Sequence, residues 1–414
     1  MTEEFFRKNT CRLCLGSNLN LVLQLTPTPL ANAFVDRDSV GVIQREFPLD
    51  LYLCAECGHL QLLDVVRPDQ LFSKYIYESG TSPVFVKHFK DYADYIVTHY
   101  EIPKNGFVVD IGSNDGTLLQ LLKNLGLVVL GVDPARELSS RASAKGLETV
   151  TSFFNEEVAA KILKSRGFAD VITANNVFAH ADDLTGLVRG VRKLLAPDGV
   201  FIFEVSYLGD VIEKTLFDTI YHEHLSYHSV GPLIGFFERN GLKLIHVEMV
   251  DSHGGSLRGI CQHESGNLDT DQTIEKFLEW ENEIQLYNED TFDNFASVIQ
   301  SKKEEVRKHL LKFKENGKII AGYGAPAKAT TLMYHFGIGP SDIGYIIDDS
   351  PLKQGLFSPG LHIPVCDKQI LKTKSPDYLF VLAWNFADSI ISRSADYQKT
   401  GGKFIVPLPD LKLV

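Results

Sequence analysis

Gly106-Phe-Val-Val-Asp110-Ile-Gly112-Ser-Asn114-Asp115-Gly116-Thr117-Leu-Leu-Gln-Leu-Leu-Lys123 decides how the chain folds. A short apolar run of β-formers reads as a buried strand, the glycines as a turn, and the leucines after it as a helix. A ligand belongs at that turn, because glycine lets backbone come close and a helix N-terminus offers unpaired N–H groups. The next strand, Leu127-Val-Val-Leu-Gly-Val132, ends at Asp133, 23 residues past Asp110, where an acid takes both hydroxyls of a ribose. NAD fits that spacing too, but Asp-x-Gly-x-Asn-x-Gly departs from the Gly-x-Gly-x-x-Gly turn of dinucleotide folds. Alternation continues through Ala169-Asp-Val-Ile-Thr-Ala174, a helix near residues 183–195, and Gly199-Val-Phe-Ile-Phe-Glu-Val205. Two further strands, Leu242–Val250 and Ser256–His263, follow without a long helix between them. The pattern is α/β, a doubly wound sheet closed by an antiparallel pair.

Working outward, 414 residues make two or three domains at about 150 each. The sequence suggests boundaries at 1–70, 71–267, 268–315 (a helical connection) and 316–414. Hydrophobic residues form 44% and charged residues 23%, which excludes a disordered or fibrous chain. With 41 Lys and Arg against 53 Asp and Glu, the formal charge is −12, and no basic block offers an electrostatic hold on nucleic acid. Residues 378–384 form the longest candidate apolar run, far short of the ~20 that cross a bilayer. The N-terminus carries acids and no apolar core, so no secretory signal is expected and the protein is placed in the cytoplasm, off the membrane.

Four of the six cysteines fall as Cys11-x-x-Cys14 and Cys54-x-x-Cys57, two pairs whose spacing lets both thiolates of a turn face one tetrahedral ion. The 39 intervening residues exceed the ~15–20 of a compact ribbon, so a loop from Pro27 onward is expected to leave the knot and return. Four sulfurs leave no open coordination position, and the expected zinc is therefore structural. Cys261 and Cys366 stand alone and read as core cysteines.

After the fifth strand comes Ile220-Tyr221-His222-Glu223-His224-Leu225-Ser226-Tyr227-His228-Ser229. Its density of imidazole, phenol and carboxylate suits an irregular segment at the carboxyl ends of strands, where open α/β sheets bind ligands. Metal binding is the weaker reading, because the His-Glu-x-x-His helix pattern is absent. Neighbouring His and Tyr with a carboxylate make an acid/base assembly.

In the C-terminal stretch a second strand, turn and helix appear as Gly317-Lys-Ile-Ile-Ala-Gly322-Tyr-Gly324-Ala-Pro-Ala327-Lys328, followed by strands near Ile343–Ile347, Asp377–Trp384 and Lys403–Val406. Gly322-x-Gly324-x-x-Ala327 with Asp348 24 residues after Gly324 satisfies a dinucleotide fingerprint. Lys328 adds a cation at the helix start, which suits a nucleoside diphosphate equally well.

The order of Asp110 to Gly116, Asp133 and Asn175-Asn176-Val-Phe-Ala-His180 resembles the class I methyltransferase core that uses S-adenosyl-L-methionine (SAM). That resemblance implies that Gly112, Asn114, Asp115 and Gly116 line the methionine end of SAM, that Asp133 takes its ribose, and that Asn175 and Asn176 lie near its methionine portion. Together with the cysteine pairs, the Tyr75-Ile-Tyr77-Glu-Ser79-Gly80-Thr81-Ser82 stretch and the Gly-Tyr-Gly-Ala-Pro-Ala-Lys328 loop, nearly the whole chain is similar to the sugar C-methyltransferases of deoxysugar biosynthesis. The similarity implies a zinc-binding N-terminal domain, a SAM domain and a C-terminal Rossmann-like domain. It also implies deprotonation and methylation at C3 of a nucleotide-linked 4-keto-deoxysugar. By the same resemblance His224 is the first choice for general base, with Tyr221, Glu223, His180 and Tyr75 orienting it or stabilising the enolate. The split of roles between Tyr221 and His224 stays open. Tyr77, Ser79, Thr81, Tyr227, Gly324, Lys328 and Asp348 are candidate substrate contacts. Two other readings remain: methyl transfer to oxygen or nitrogen, and an NAD-dependent sugar oxidoreductase or epimerase, although the Tyr-x-x-x-Lys pair of many such enzymes is missing.

Overall fold

The computed structural model describes residues 5–72, 80, 83–100, 102–251 and 255–414. Tyr75, Tyr77, Ser79 and Thr81 lie outside them. The chain forms two compact units, one from residues 1–20, 52–209 and 225–287, the other from 21–51, 210–224 and 288–414. The sequence suggests consecutive domains, whereas these units interleave along the chain.

The first unit is built on a seven-stranded sheet: β1 (Phe107–Ile111), β2 (Val128–Asp133), β3 (Thr149–Thr151), β4 (Ala169–Asn175), β5 (Leu195–Ser206), β6 (Leu242–Val250) and β7 (Ser256–His263). Its order is β6-β7-β5-β4-β1-β2-β3. β1 to β5 run parallel and β7 pairs antiparallel with both β5 and β6. Successive side chains of a strand point to opposite faces, and here both faces are covered. Val108, Val171, Val200 and Ile202 pack with Phe89, Tyr92 and Ile96 of the helix Pro83–His99 on one side. Val109, Ile172, Phe201 and Phe203 pack with Val188, Val191 and Phe237 on the other. Burial on both faces explains why these strands read as largely apolar runs instead of alternating ones. Cys11, Leu13 and Cys54 belong to that second core, so the cysteine knot is packed into the sheet's own interior.

Helix Thr273–Glu283 ends in a buried brace. The Glu281 carboxylate is 0% exposed and accepts from Tyr207 Oη (2.8 Å), Val230 N (2.6 Å), Gly231 N (3.0 Å) and the Tyr287 hydroxyl. Helix Val230–Arg239 has no side-chain cap from Ser229, so Glu281 supplies from a distance the acceptor that its first N–H groups need. Glu281→Ala strands four donors at ~1–3 kcal/mol each before relaxation. We expect a loss of about 3–6 kcal/mol, read as a lower urea midpoint; an unchanged midpoint would refute the brace.

In the second unit a sheet of β8 (Ile320–Tyr323), β9 (Ile346–Ile347), β10 (Val365–Cys366), β11 (Tyr378–Val381), β12 (Lys403–Val406) and β13 (Lys412–Leu413) has the order β10-β9-β8-β11-β12-β13. All but β13 pair in parallel. The region expected to be a helical connection is two helices, Thr273–Glu283 in the first unit and Glu289–Glu315 in the second. The described residues contain no helix long and apolar enough to cross a membrane.

Candidate active site

In the first unit, Cys11, Cys14, Cys54 and Cys57 place all four sulfurs within 4.8 Å of one another. Cys11–Cys57 and Cys14–Cys54 are 3.6 and 3.5 Å apart, close to the ~3.8 Å edge of a tetrahedron with 2.3 Å zinc–sulfur bonds. Amides support the sulfurs, Leu13 N donating to Cys11 Sγ and Gly16 N to Cys14 Sγ, each at 3.4 Å. So close a set cannot ionise together unaided: the Cys57 thiol draws Cys11 down to about 5, while burial pushes Cys14 up to about 11. A divalent cation removes that conflict, and the four residues fit a closed, structural zinc site.

The turn after β1 has the shape a ligand loop needs. Gly112 (φ 71°), Asn114 (φ 51°) and Gly116 (φ 80°) are all left-handed. Gly112 N donates to Val132 O at 2.7 Å, and a Cβ on Gly112 would lie 2.3 Å from Val177 Cγ2. Asp133 closes the turn by accepting from Asn114 N (2.9 Å) and Ala135 N (2.8 Å), while burial raises its pKa. Asp115 accepts from Thr117 N and Oγ1 and from Gly80 N. Asp110 beneath the turn accepts from Thr173 Oγ1 at 2.6 Å, and burial pushes it up to about 7. Asn176 (φ 55°) donates its N–H to Glu204 O. Asn175 keeps both side-chain polar atoms buried with no partner among the described residues. An orphaned amide beside a glycine turn fits the polar amino-acid end of SAM. His180 rests its ring against Phe72, centroids 5.6 Å apart. Tyr227 is buried in a strand that pairs with Leu60–Leu62.

In the second unit, Tyr221 and His224 form the pair with acid/base geometry. Tyr221 Oη lies 3.0 Å from His224 Nε2, and His224 Nδ1 lies 2.8 Å from Thr219 O. A carbonyl only accepts, so Nδ1 carries the hydrogen and Nε2 presents its lone pair to the phenol. Burial brings His224 down to about 4, so the ring is neutral near pH 7. Glu223, 3% exposed, accepts from Asn32 Nδ2 at 2.7 Å.

Nearby in the same unit, Gly324 (φ 85°) and Asp348 repeat the device seen at Gly112 and Asp133. Gly324 N donates to Ile347 O (2.7 Å), and Asp348 accepts from Ala325 N (2.6 Å) and Ser350 N (2.8 Å). Lys353, which sequence reasoning missed, donates to Ala325 O at 2.7 Å and feels the charges of Asp348 and Glu223. Lys328 is not a free cation: its Nζ is 3.6 Å from Asp218 Oδ2 and 3.8 Å from the Trp384 ring centroid. Asn32, Asp218 and Trp384 were also missed, since the hydrogen bonds Asn32–Glu223 and Trp384–Asp218 join residues more than a hundred positions apart and no local pattern marks them.

Comparison with known proteins matches three families along the chain: "Putative zinc binding domain" over 11–72, "Methyltransferase domain" over 87–247 and "C-methyltransferase C-terminal domain" over 251–409. The C-methyltransferase NovU of Streptomyces niveus is 35% identical over 405 residues, 98% of this chain and 96% of that one. A ubiquinone biosynthesis O-methyltransferase of Colwellia psychrerythraea is 30% identical over 158 residues, 34% of this chain and 64% of that one. A SAM-dependent methyltransferase of Clostridium acetobutylicum superposes with a TM-score of 0.36 at 15% identity, covering 44% of this chain and 92% of that one. Full-length similarity to NovU, together with the zinc-binding and C-terminal domain matches, makes the chain a member of the SAM-dependent C-methyltransferases.

Proposed function

We propose that the protein methylates C3 of a nucleotide-linked 4-keto-deoxysugar through an enolate. The observation that carries this reading is the Tyr221–His224 pair, a neutral imidazole whose tautomer is fixed by the Thr219 carbonyl. A hydrogen on carbon beside a ketone yields to a side-chain base only when donors meet the enolate oxygen in a water-poor site. His224 takes that proton at Nε2, either directly or through Tyr221, which hands its own hydrogen to the imidazole while accepting the substrate's. The C–H electron pair then delocalises onto the C4 oxygen. Glu223 and His180 are assigned to orientation and to stabilising the enolate, as is Tyr75.

Gly112, Asn114, Asp115, Gly116, Asp133, Asn175 and Asn176 are the residues that would hold SAM, whose sulfonium supplies the electrophilic methyl group. Tyr77, Ser79, Thr81, Tyr227, Gly324, Lys328 and Asp348 remain the proposed sugar-nucleotide contacts. Lys328 would share its three donors there between the substrate and Asp218. The protein is assigned to the cytoplasm.

The test is incubation with labelled SAM and a panel of nucleotide-linked 4-keto sugars, read by mass and by product NMR. A methyl on a quaternary ring carbon supports the proposal; an O- or N-methyl product refutes it. In deuterated water without SAM, His224→Ala should cut exchange of the substrate α-hydrogen by about 100-fold or more, the range general bases contribute. Tyr221→Phe separates the two routes: exchange survives if His224 acts directly and collapses if the phenol relays the proton.

A further inference from the structure

Three of the four residues from 217 to 220 are gripped by side chains of the C-terminal α/β module. Phe217 stacks on Phe336 with centroids 5.1 Å apart. Asp218 Oδ2 accepts from Trp384 Nε1 at 2.6 Å and faces Lys328 Nζ at 3.6 Å. Ile220 O accepts from Thr331 Oγ1 at 2.7 Å. The remaining residue, Thr219, offers the carbonyl that receives the Nδ1 hydrogen of His224.

We propose that Asp218, clamped by Lys328 and Trp384, is a positioning residue that fixes the ring orientation and tautomer of His224 through the Thr219 carbonyl. The proposal rests on the reading of His224 as the proton acceptor. Asp218 is 0% exposed, and its second oxygen, Oδ1, has no partner among the described residues. The carboxylate therefore hangs on one oxygen and two donors. Taking away either donor leaves a buried charge poorly matched, and the turn Phe217–Thr219 must shift to relieve it. Lys328 lies over the Trp384 ring, so the three groups depend on one another. When the Thr219 carbonyl moves, nothing compels the imidazole hydrogen to stay on Nδ1, and Nε2 no longer offers a lone pair in every molecule. The cation that sequence reasoning offers to a phosphate thus has a second task inside the protein.

The test needs no sugar. Full-length protein carrying ¹⁵N-histidine is examined by NMR for which ring nitrogen of each imidazole bears hydrogen, and His224→Ala identifies the His224 signals. In the unaltered protein Nδ1 should be protonated and Nε2 bare. Trp384→Phe and Lys328→Met should each move the two His224 nitrogens towards a tautomer average. Thr331→Val, which keeps the side-chain shape and removes one grip on the same turn, should do so as well. Retained zinc and an unbroken thermal transition show that a variant is folded. If folded Trp384→Phe and Thr331→Val keep the His224 signals of the unaltered protein, the proposal is overturned. Because this readout is independent of α-hydrogen exchange, failure of His224 as base and failure of the clamp give different results.

Discussion

Removing zinc, by a chelator or by Cys54→Ser, is expected to unfold the seven-stranded sheet and not the knot alone. Structural zinc sites contribute about 10–16 kcal/mol of apparent binding free energy, as much as the ~5–15 kcal/mol that keeps a typical domain folded. In a peripheral finger that energy would be local. Here Cys11 and Cys54 lie in one apolar cluster with Val109, Ile172, Phe201 and Phe237, so loosening the thiols opens the core behind the sheet. Four unligated thiols at these separations would also leave buried polar sulfur where metal bonds had been. Far-ultraviolet circular dichroism and SAM binding should fall together as zinc leaves, and metal analysis fixes the stoichiometry. Zinc-free protein that retains the sheet signal and binds SAM would contradict this.

A second large effect is expected on acidification. Burial brings His222 and His228 down to about 4, against about 6.5 in an unfolded chain. His222 is 1% exposed and His228 0%, so neither is relieved by solvent. Between those pH values the unfolded state binds the protons that the native state refuses, and stability falls as pH falls. Their contribution is fully present above pH 6.5, is lost progressively towards pH 4, and changes no further below it. Each ring is worth up to about 3 kcal/mol by linkage, so the pair brings the protein near its unfolding limit. Urea midpoints taken from pH 7 to pH 4, with zinc content followed in parallel, should decline across that window. A flat profile, or one that tracks zinc loss alone, would show that the rings are not held neutral by burial.

The nucleotide-type turn was readable because its chemistry is local: a strand, left-handed glycines and a helix occupy residues 106–124 with no remote partner required. The antiparallel end of the sheet was readable for a similar reason, since Leu242–Val250 and Ser256–His263 leave no room for a crossover helix. The cysteine pairs carried their own geometry. Elsewhere the deciding partners are remote. Only Tyr287 lies near Glu281 in sequence; the other three donors to its carboxylate come from residues 207, 230 and 231. Lys328 sits where a phosphate cation would sit, but Asp218 and Trp384 meet it only after folding. Asn32 belongs to the loop that leaves the knot, and only tertiary structure brings it to Glu223.

The interleaving of the two units has a consequence for how such enzymes can be recombined. The chain passes between them at 20/21, 51/52, 209/210, 224/225 and 287/288. A chimera cut once at residue 288 would therefore transplant the C-terminal sheet without residues 21–51 and 210–224, and Tyr221 and His224 would face foreign supports. During synthesis, likewise, the ribosome delivers these two side chains long before Thr331 and Trp384 emerge to seat them. Tyr221 and His224 therefore wait for their supports while much of the 190-residue stretch that follows His224 is made.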